Sequence, residues 1–468
     1  MIGYPLSLRD PAGRLMRVQD RVFRLVHPEG ADNARACLQS PTIARWQAER
    51  RFVGTSELAA TDWPTMPGAG PVTTVLEHEV VPFPSHPCEW TPGMLKAAGL
   101  LTLDLAAELL DESRGIKDAT PLNVLFMGGQ PIFVDALSVE DRDPRSPVWL
   151  PYGQFVRTFI LPLVANRHLG WSLRRIFTGA RDGLTPEELY PPLRWRSRLS
   201  PGVFGAVTGP VLLSRFRPRT PFPSLPVTDE LRAKFILRRL LAHLRKVLES
   251  QDGNSRESNW TSYRDPAIHA TEYHAARLQI VENVCRTHRP TRVLDVGAND
   301  GAFSALAASC GADVVAIDRD EVVVDRMFRH MSGSSSRVLP LVVDLADPTP
   351  ATGWRNAERP SFLARAAGGF DLVLCLAVLH HLVVGDGLPL AAVVDQVTAL
   401  TRDVLVAEFV PSEDPWCRRL AAGRPVSAER WSIQAFEEEA ARHFVIASRH
   451  PVGANGRTIL VLRKLQTT

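Results

Sequence analysis

Residues 293–304 (VLDVGANDGAFS) constrain the fold more than any other stretch, because an apolar run passes directly into Gly297 and Gly301 and then into a helix-forming segment. A continuous apolar run of this length marks a strand buried on both faces, as in parallel sheets. Lacking a Cβ, the two glycines let the backbone take positive φ and let a ligand approach closely. The helix that follows turns unpaired N–H groups back toward them. This unit belongs to an open α/β sheet, in which ligands sit outside the carboxyl ends of the strands.

The pattern recurs downstream. Residues 314–318 (VVAID) end in Asp318, placed to accept hydrogen bonds from two ribose hydroxyls, and residues 339–345 (LPLVVDL) end in Asp344 and Leu345. A fourth run, residues 370–379, leads to His380 and His381, and a fifth, residues 403–411, carries Glu408. Residues 270–287 read as an amphipathic helix ahead of the first strand, and residues 444–448 and 457–462 as a closing antiparallel hairpin. Strands alternating with helices predict a parallel sheet covered on both faces.

A glycine turn also serves dinucleotide enzymes, whose fingerprint is G-x-G-x-x-G; here it is G-x-x-x-G. A sulfonium nucleoside needs no pyrophosphate site, so Asp295 and Asp300 can stand beside the turn. A strand, turn and helix with no ligand is the third reading. Taken as a series, these segments resemble the class I S-adenosylmethionine (SAM)-dependent methyltransferases. The resemblance implies an α/β fold with a Rossmann-like sheet. It also implies a cofactor pocket with Asp295, Gly297, Asn299 and Gly301 at the turn, Asp318 on the ribose, Asp344 and Leu345 at the adenine edge, and Leu376 and Ala377 beside the methionine part. Leu376 and Ala377 are equally explained as core strand.

Methyl transfer demands in-line positioning and, for a weak nucleophile, removal of a proton. An imidazole has an ordinary pKa of ~6.5 and can accept that proton at neutral pH. His381 is the preferred base and His380 is assigned to packing; a purely structural pair is the alternative, since proximity alone can drive the reaction. Glu408 is expected to face the crevice and to bind a cationic or hydroxylated acceptor. Tyr263 and Tyr273 are read as a lid or as core contacts. The expected acceptor is a small molecule or glycan, methylated on oxygen or nitrogen. A protein that senses SAM without turnover is the competing class.

The first half carries a different signal. Residues 115–126 (GIKDATPLNVLF), followed by residues 128–135 (GGQPIFVD), place Asp118, Asn123 and Asp135 at the spacing of a kinase catalytic loop, a hairpin and a second, metal-holding aspartate. They resemble the aminoglycoside-phosphotransferase-like and protein-kinase-like fold, which implies an α+β domain. Ile116 stands where a bracing His is usual, no lysine precedes Lys96, and no glycine-rich phosphate loop is present. Arg24, with Glu49 as helix partner, is the substitute for the missing lysine, though a guanidinium is not an equivalent point charge. A non-catalytic, substrate-recognising module is therefore expected, with a working phosphotransferase as the alternative and simple turn residues as a third reading. Over nearly its whole length the chain also resembles bacterial methyltransferase-like proteins related to host-specific nodulation proteins. Segments at Glu89-Trp90, residues 95–98, residues 116–118, residues 134–138, residues 152–155, residues 380–382 and residues 408–411 carry that resemblance.

The polar, aromatic-free residues 249–259 read as a linker. The expected organisation is a kinase-like domain over residues 1–250, a linker over 251–262 and a methyltransferase domain over 263–468. Six scattered cysteines without a C-x-x-C pair argue against a zinc cage or a disulfide framework and for a reducing cytoplasm. No signal peptide and no membrane span are expected. Net charge is only +3, so global charge does not call for nucleic acid. Basic residues cluster locally as Arg194, Arg196, Arg198, Arg215, Arg217, Arg219, Arg232, Lys234, Arg238, Arg239, Arg245 and Lys246. A phosphate-bearing partner or a solvated face explains such a cluster.

Overall fold

The computed structural model describes residues 4–5, 9–64, 70–214, 229–251, 271–331, 336–421, 427, 430–453 and 455–466. Residues 252–262 of the expected linker, Tyr263, Arg215, Arg217 and Arg219 lie outside the described residues. The chain divides into two compact units, Met1–Met127 with Pro131–Ser255 and Thr352–Arg359, and Gly128–Gln130 with Arg256–Ala351 and Pro360–Thr468.

In the first unit, β1 (Tyr4–Pro5), β2 (Gly13–Val18), β3 (Arg21–Val26), β4 (Thr55–Glu57) and β5 (Thr74–His78) form an antiparallel sheet in the order β1-β2-β3-β5-β4. Met16, Phe23, Leu25 and Val75 cover one of its faces. Two short antiparallel pairs follow, β6 (Arg114–Ile116) with β9 (Val139–Asp141), and β7 (Val124–Met127) with β8 (Gln130–Phe133). The helix Pro92–Leu109 starts with Thr91 accepting the Met94 N–H at 3.2 Å and with Pro at its first position, where a missing N–H costs nothing. It packs against the helix Glu230–Glu249, whose Leu237, Leu241, Leu244 and Leu248 form a buried stripe at helical spacing. Gly99 permits the close approach, because a Cβ there would stand 2.8 Å from Leu248 Cδ2. Among the described residues, no helix is long and apolar enough to cross a membrane.

The second unit is a seven-stranded sheet. Its strands are β10 (Arg292–Val296), β11 (Asp313–Asp318), β12 (Val338–Val342), β13 (Phe370–Cys375), β14 (Thr401–Phe409), β15 (Phe444–Val452) and β16 (Arg457–Lys464), in the order β12-β11-β10-β13-β14-β16-β15. The first five run parallel, and β16 and β15 close the sheet as the expected antiparallel hairpin. Burial along β10, β11 and β13 is nearly continuous rather than alternating, as helices on both faces require. The helix Thr271–His288 sets Val281, Val284 and Cys285 into a core shared with Val293, Leu372, Val404 and Ile459. Strand order reverses between β10 and β13, the point where such sheets open a crevice.

Candidate active site

The crevice is built by a chain reversal after β10. Gly297 sits at φ 69°, and its N–H and that of Ala298 donate to the Ile317 carbonyl at 2.8 and 3.0 Å. A Cβ on Gly297 would stand 2.4 Å from Val378 Cγ2, so both conformation and space demand glycine. Asn299, at φ 48°, donates its N–H to Asp318 Oδ2 at 3.1 Å, and Asp320 N–H reaches Asp318 Oδ1 at 3.0 Å. These bonds hold the Asp318 carboxylate at the strand end, while burial raises its pKa above the ordinary value against their effect. Asp295 is buried beneath the turn and accepts the Ser304 hydroxyl at 2.6 Å. Burial pushes its carboxyl up to about 7, partly offset by that hydrogen bond.

These elements enclose a cavity of about 560 Å³, within the range of small-molecule sites. Asp295, Gly297, Asn299, Asp318, Asp344, Leu345, Leu376 and Ala377 all line it. Gly301 does not: at φ 80° it begins the helix Ala302–Ser309, and a Cβ there would meet Met327 Cγ at 3.0 Å. Gly301 shapes the turn from behind. Ala377 takes a positive φ of 58°, unusual for a residue with a Cβ, and so bends the chain out of β13 along the cavity wall.

Of the three residues expected to do chemistry, one lines the cavity. His381 does, and burial, reinforced by the Arg319 cation, pushes its pKa down to about 4. His380 is buried away from it with neither ring nitrogen hydrogen-bonded among the described residues, and burial holds its pKa well below the usual imidazole value. The two residues lie in a helical turn rather than an extended strand end, with their rings in contact at 4.3 Å between centroids. The expectation that Glu408 faces the crevice is not met. Its carboxylate is fully buried, takes the Tyr273 hydroxyl, and pairs with Arg277 at 3.0 Å and Arg457 at 3.6 Å.

Tyr273 and Arg277 are themselves cavity residues. Arg457 donates to the Tyr273 hydroxyl at 2.7 Å and to Asp414 at 2.9 Å. Burial disfavours the Arg457 cation, but Asp414, Tyr273 and Glu408 more than compensate and raise its pKa. The Arg277 guanidinium lies 4.9 Å from the Phe303 ring centroid and 5.1 Å from that of Tyr273, and its buried Nε has no hydrogen-bond partner among the described residues. Arg277 went unnamed in the sequence reading, although Tyr273 and Arg277 stand at i and i+4 on the predicted helix, the spacing that places two side chains on one face.

In the first unit, Asn123 Nδ2 donates to the Asp118 carbonyl at 3.3 Å, and Gln154 Nε2 to Asp118 Oδ1 at 3.1 Å. Arg24 does not pair with Glu49, which meets Arg45 and Arg51 instead. It pairs with Asp135 at 3.1 Å.

Residues 262–448 match the family model described as a methyltransferase domain. The chain carries a SAM-dependent methyltransferase domain. Its cofactor is SAM. The methyltransferase is 28% identical over 462 residues to the nodulation protein NoeA of Rhizobium meliloti (strain 1021), covering 98% of this chain and 95% of that one. It is 31% identical over 90 residues to a ubiquinone biosynthesis O-methyltransferase of Aromatoleum aromaticum, covering 19% of this chain and 32% of that one. Among solved structures, the N-methyltransferase NodS of Bradyrhizobium japonicum WM9 aligns with 14% identity over 42% of this chain and 99% of its own, at a TM-score of 0.32.

Proposed function

We propose that the enzyme methylates an oxygen or nitrogen atom of a small-molecule or glycan-like acceptor in the cavity between the β10 turn and His381. The observation that carries this reading is the convergence of the glycine turn, the Asp318 carboxylate and His381 on one cavity of about 560 Å³. SAM supplies a methyl group already activated on a sulfonium, so the chain's task is to bind, orient and deprotonate. Asp318 holds the ribose hydroxyls, Asp344 and Leu345 border the adenine, and Leu376 and Ala377 flank the methionine part. The orphaned Nε of Arg277 fits a carboxylate-bearing ligand, with Glu408 steadying the guanidinium from behind. His381 is neutral at pH 7 with its pKa near 4, which leaves it free to accept the acceptor's proton but makes it a weak base. It suits an acceptor whose acidity rises as the new bond forms. Incubating the protein with labelled SAM and extracts of a strain lacking the gene, then following the labelled product by mass spectrometry, tests this; absence of any labelled product sinks it.

A second reading concerns residues 1–250, inferred to be a kinase-like, non-catalytic recognition module, joined through residues 251–262 to the methyltransferase domain over residues 263–468. The antiparallel sheet followed by the Asp118 loop, hairpin and Asp135 supports the likeness. The Arg24–Asp135 pair supports the loss of activity, because a guanidinium already neutralises the carboxylate that would hold magnesium. A bifunctional kinase–methyltransferase is the alternative, and ATP-dependent phosphorylation of the acceptor would establish it.

A further inference from the structure

Strands β11 and β13 flank β10 on either side, so at ~4.8 Å between neighbouring strands their ends stand about 10 Å apart. A contact between the loops beyond β11 and β13 therefore crosses the crevice outside the end of β10, where the glycine turn lies. One ion pair makes that crossing. Arg319, the residue after Asp318 at the end of β11, comes within 4.0 Å of Asp386 in the loop beyond β13, and both side chains line the cavity.

Asp386 reaches this position through an irregular piece of helix. Residues His381–Gly385 form a wide π-type turn, closed by the Asp386 N–H donating to the His381 carbonyl at 2.8 Å, five residues back. Such insertions are rare and concentrate at functional sites. Asp386 then stands between Gly385 and Gly387. Gly387 takes φ 79°, and a Cβ on Gly385 would meet nothing closer than Leu420 Cδ2 at 3.8 Å. Two glycines leave the backbone on either side of the carboxylate free to swing. The Arg319 side is anchored, because the neighbouring Asp318 accepts the Asn299 and Asp320 N–H groups.

The pair's own strength indicates its use. The two side chains are 41% and 34% exposed and their separation is long, and an ion pair so open to water adds little to stability. That makes it a poor brace for the fold and suits a contact that breaks and re-forms at every turnover. We infer that Arg319 and Asp386 form a latch across the cofactor crevice, which opens on the Gly385–Gly387 segment to admit SAM and to release S-adenosylhomocysteine. The inference rests on the placement of SAM at the β10 turn. Opening of this kind gates entry and exit alike, so the latch sets the speed of exchange and not the affinity.

Association and dissociation of radiolabelled S-adenosylhomocysteine on the full chain, the latter chased with excess unlabelled compound, test the latch. Arg319→Gln and Asp386→Asn should each raise both rates together, by up to about fivefold, with affinity nearly unchanged. The double variant should be no faster than either single one. Raised salt should bring the wild type toward the variants and leave the variants as they are. Swapping the charges, Arg319→Asp with Asp386→Arg, should return both rates toward wild type, which neither a folding defect nor a lost cofactor contact would do. Faster dissociation in Arg319→Gln alone, with association unchanged, means a direct contact with the cofactor and overturns the latch. Normal binding with wild-type rates in both single variants overturns the latch alone, whereas a wild type that binds no S-adenosylhomocysteine overturns the cofactor placement and the latch with it.

Discussion

Arg277, on the cavity wall, is held at 3.0 Å by Glu408, a carboxylate buried in the middle of the sheet. The pair joins a cavity-lining cation to the core, and Arg457 leans on the same carboxylate from the neighbouring strand. Removing one partner of such a buried set leaves charge uncompensated, a loss of ~3–5 kcal/mol. Glu408→Ala should therefore lower the melting temperature sharply. Arg277→Met, which keeps the bulk, should weaken S-adenosylhomocysteine binding about tenfold or more while retaining the fold. Calorimetry and thermal denaturation separate the two effects, and an Arg277→Met protein with wild-type affinity would remove the carboxylate-binding role.

Gly297→Ala should fold poorly at the turn and lose cofactor binding. The positive φ alone costs an L-residue ~1–2 kcal/mol, and the added Cβ would have to displace Val378. A Gly297→Ala protein binding S-adenosylhomocysteine normally would show that the turn does not shape the site.

His381→Ala should cut turnover by about a hundredfold, with little change in cofactor affinity. In the wild type, the acid limb of the pH–rate profile should fall near pH 4, where His381 takes up its proton, and not near the ordinary imidazole value. An acid limb near 6.5, or unchanged turnover in the variant, leaves proximity as the whole of catalysis.

His380 and His381 also make stability pH-dependent. Both have folded pKa values below the unfolded value of 6.5, so the unfolded chain binds more protons as pH falls. Stability is fully present above about 6.5 and is lost as pH drops from there toward 4. Asp295, raised to about 7, acts oppositely, losing its contribution as pH rises from about 3.8 toward 7. His380→Phe should flatten the acid-side loss; urea titrations at pH 5 and pH 7 compare the two proteins.

Much of the second unit was legible because its signals are local. The glycine turn, the acidic strand ends and the apolar strands each declare themselves within a dozen residues. What escaped depends on partners distant in sequence. Glu408 reads as a crevice residue from its place near a strand end, yet Tyr273, Arg277 and Arg457 bury it. A carboxylate inside an apolar strand needs a buried cation, and only the tertiary arrangement names which. The helical placement of His380 and His381 depends on β13 ending at Cys375 and the chain bending at Ala377, a backbone conformation that alanine does not advertise. Arg24 likewise meets Asp135 and not Glu49, because the turn after the strand Gln130–Phe133, not the helix, supplies its nearest acid.

For the first unit, Asp118→Asn should leave methylation intact and no phosphorylated acceptor should form with ATP and magnesium. A phosphorylated product that disappears in this variant would make the enzyme bifunctional.

Titration of the full chain with S-adenosylhomocysteine, for the wild type and Asp318→Ala, tests the cofactor site most directly. One site per chain is expected in the wild type. Loss of the carboxylate's charge-assisted hydrogen bonds, about 1.5–3 kcal/mol, should weaken binding roughly ten- to a hundredfold. No binding to the wild type, or equal affinity in the two proteins, would contradict the placement of the cofactor between the β10 turn and Asp318.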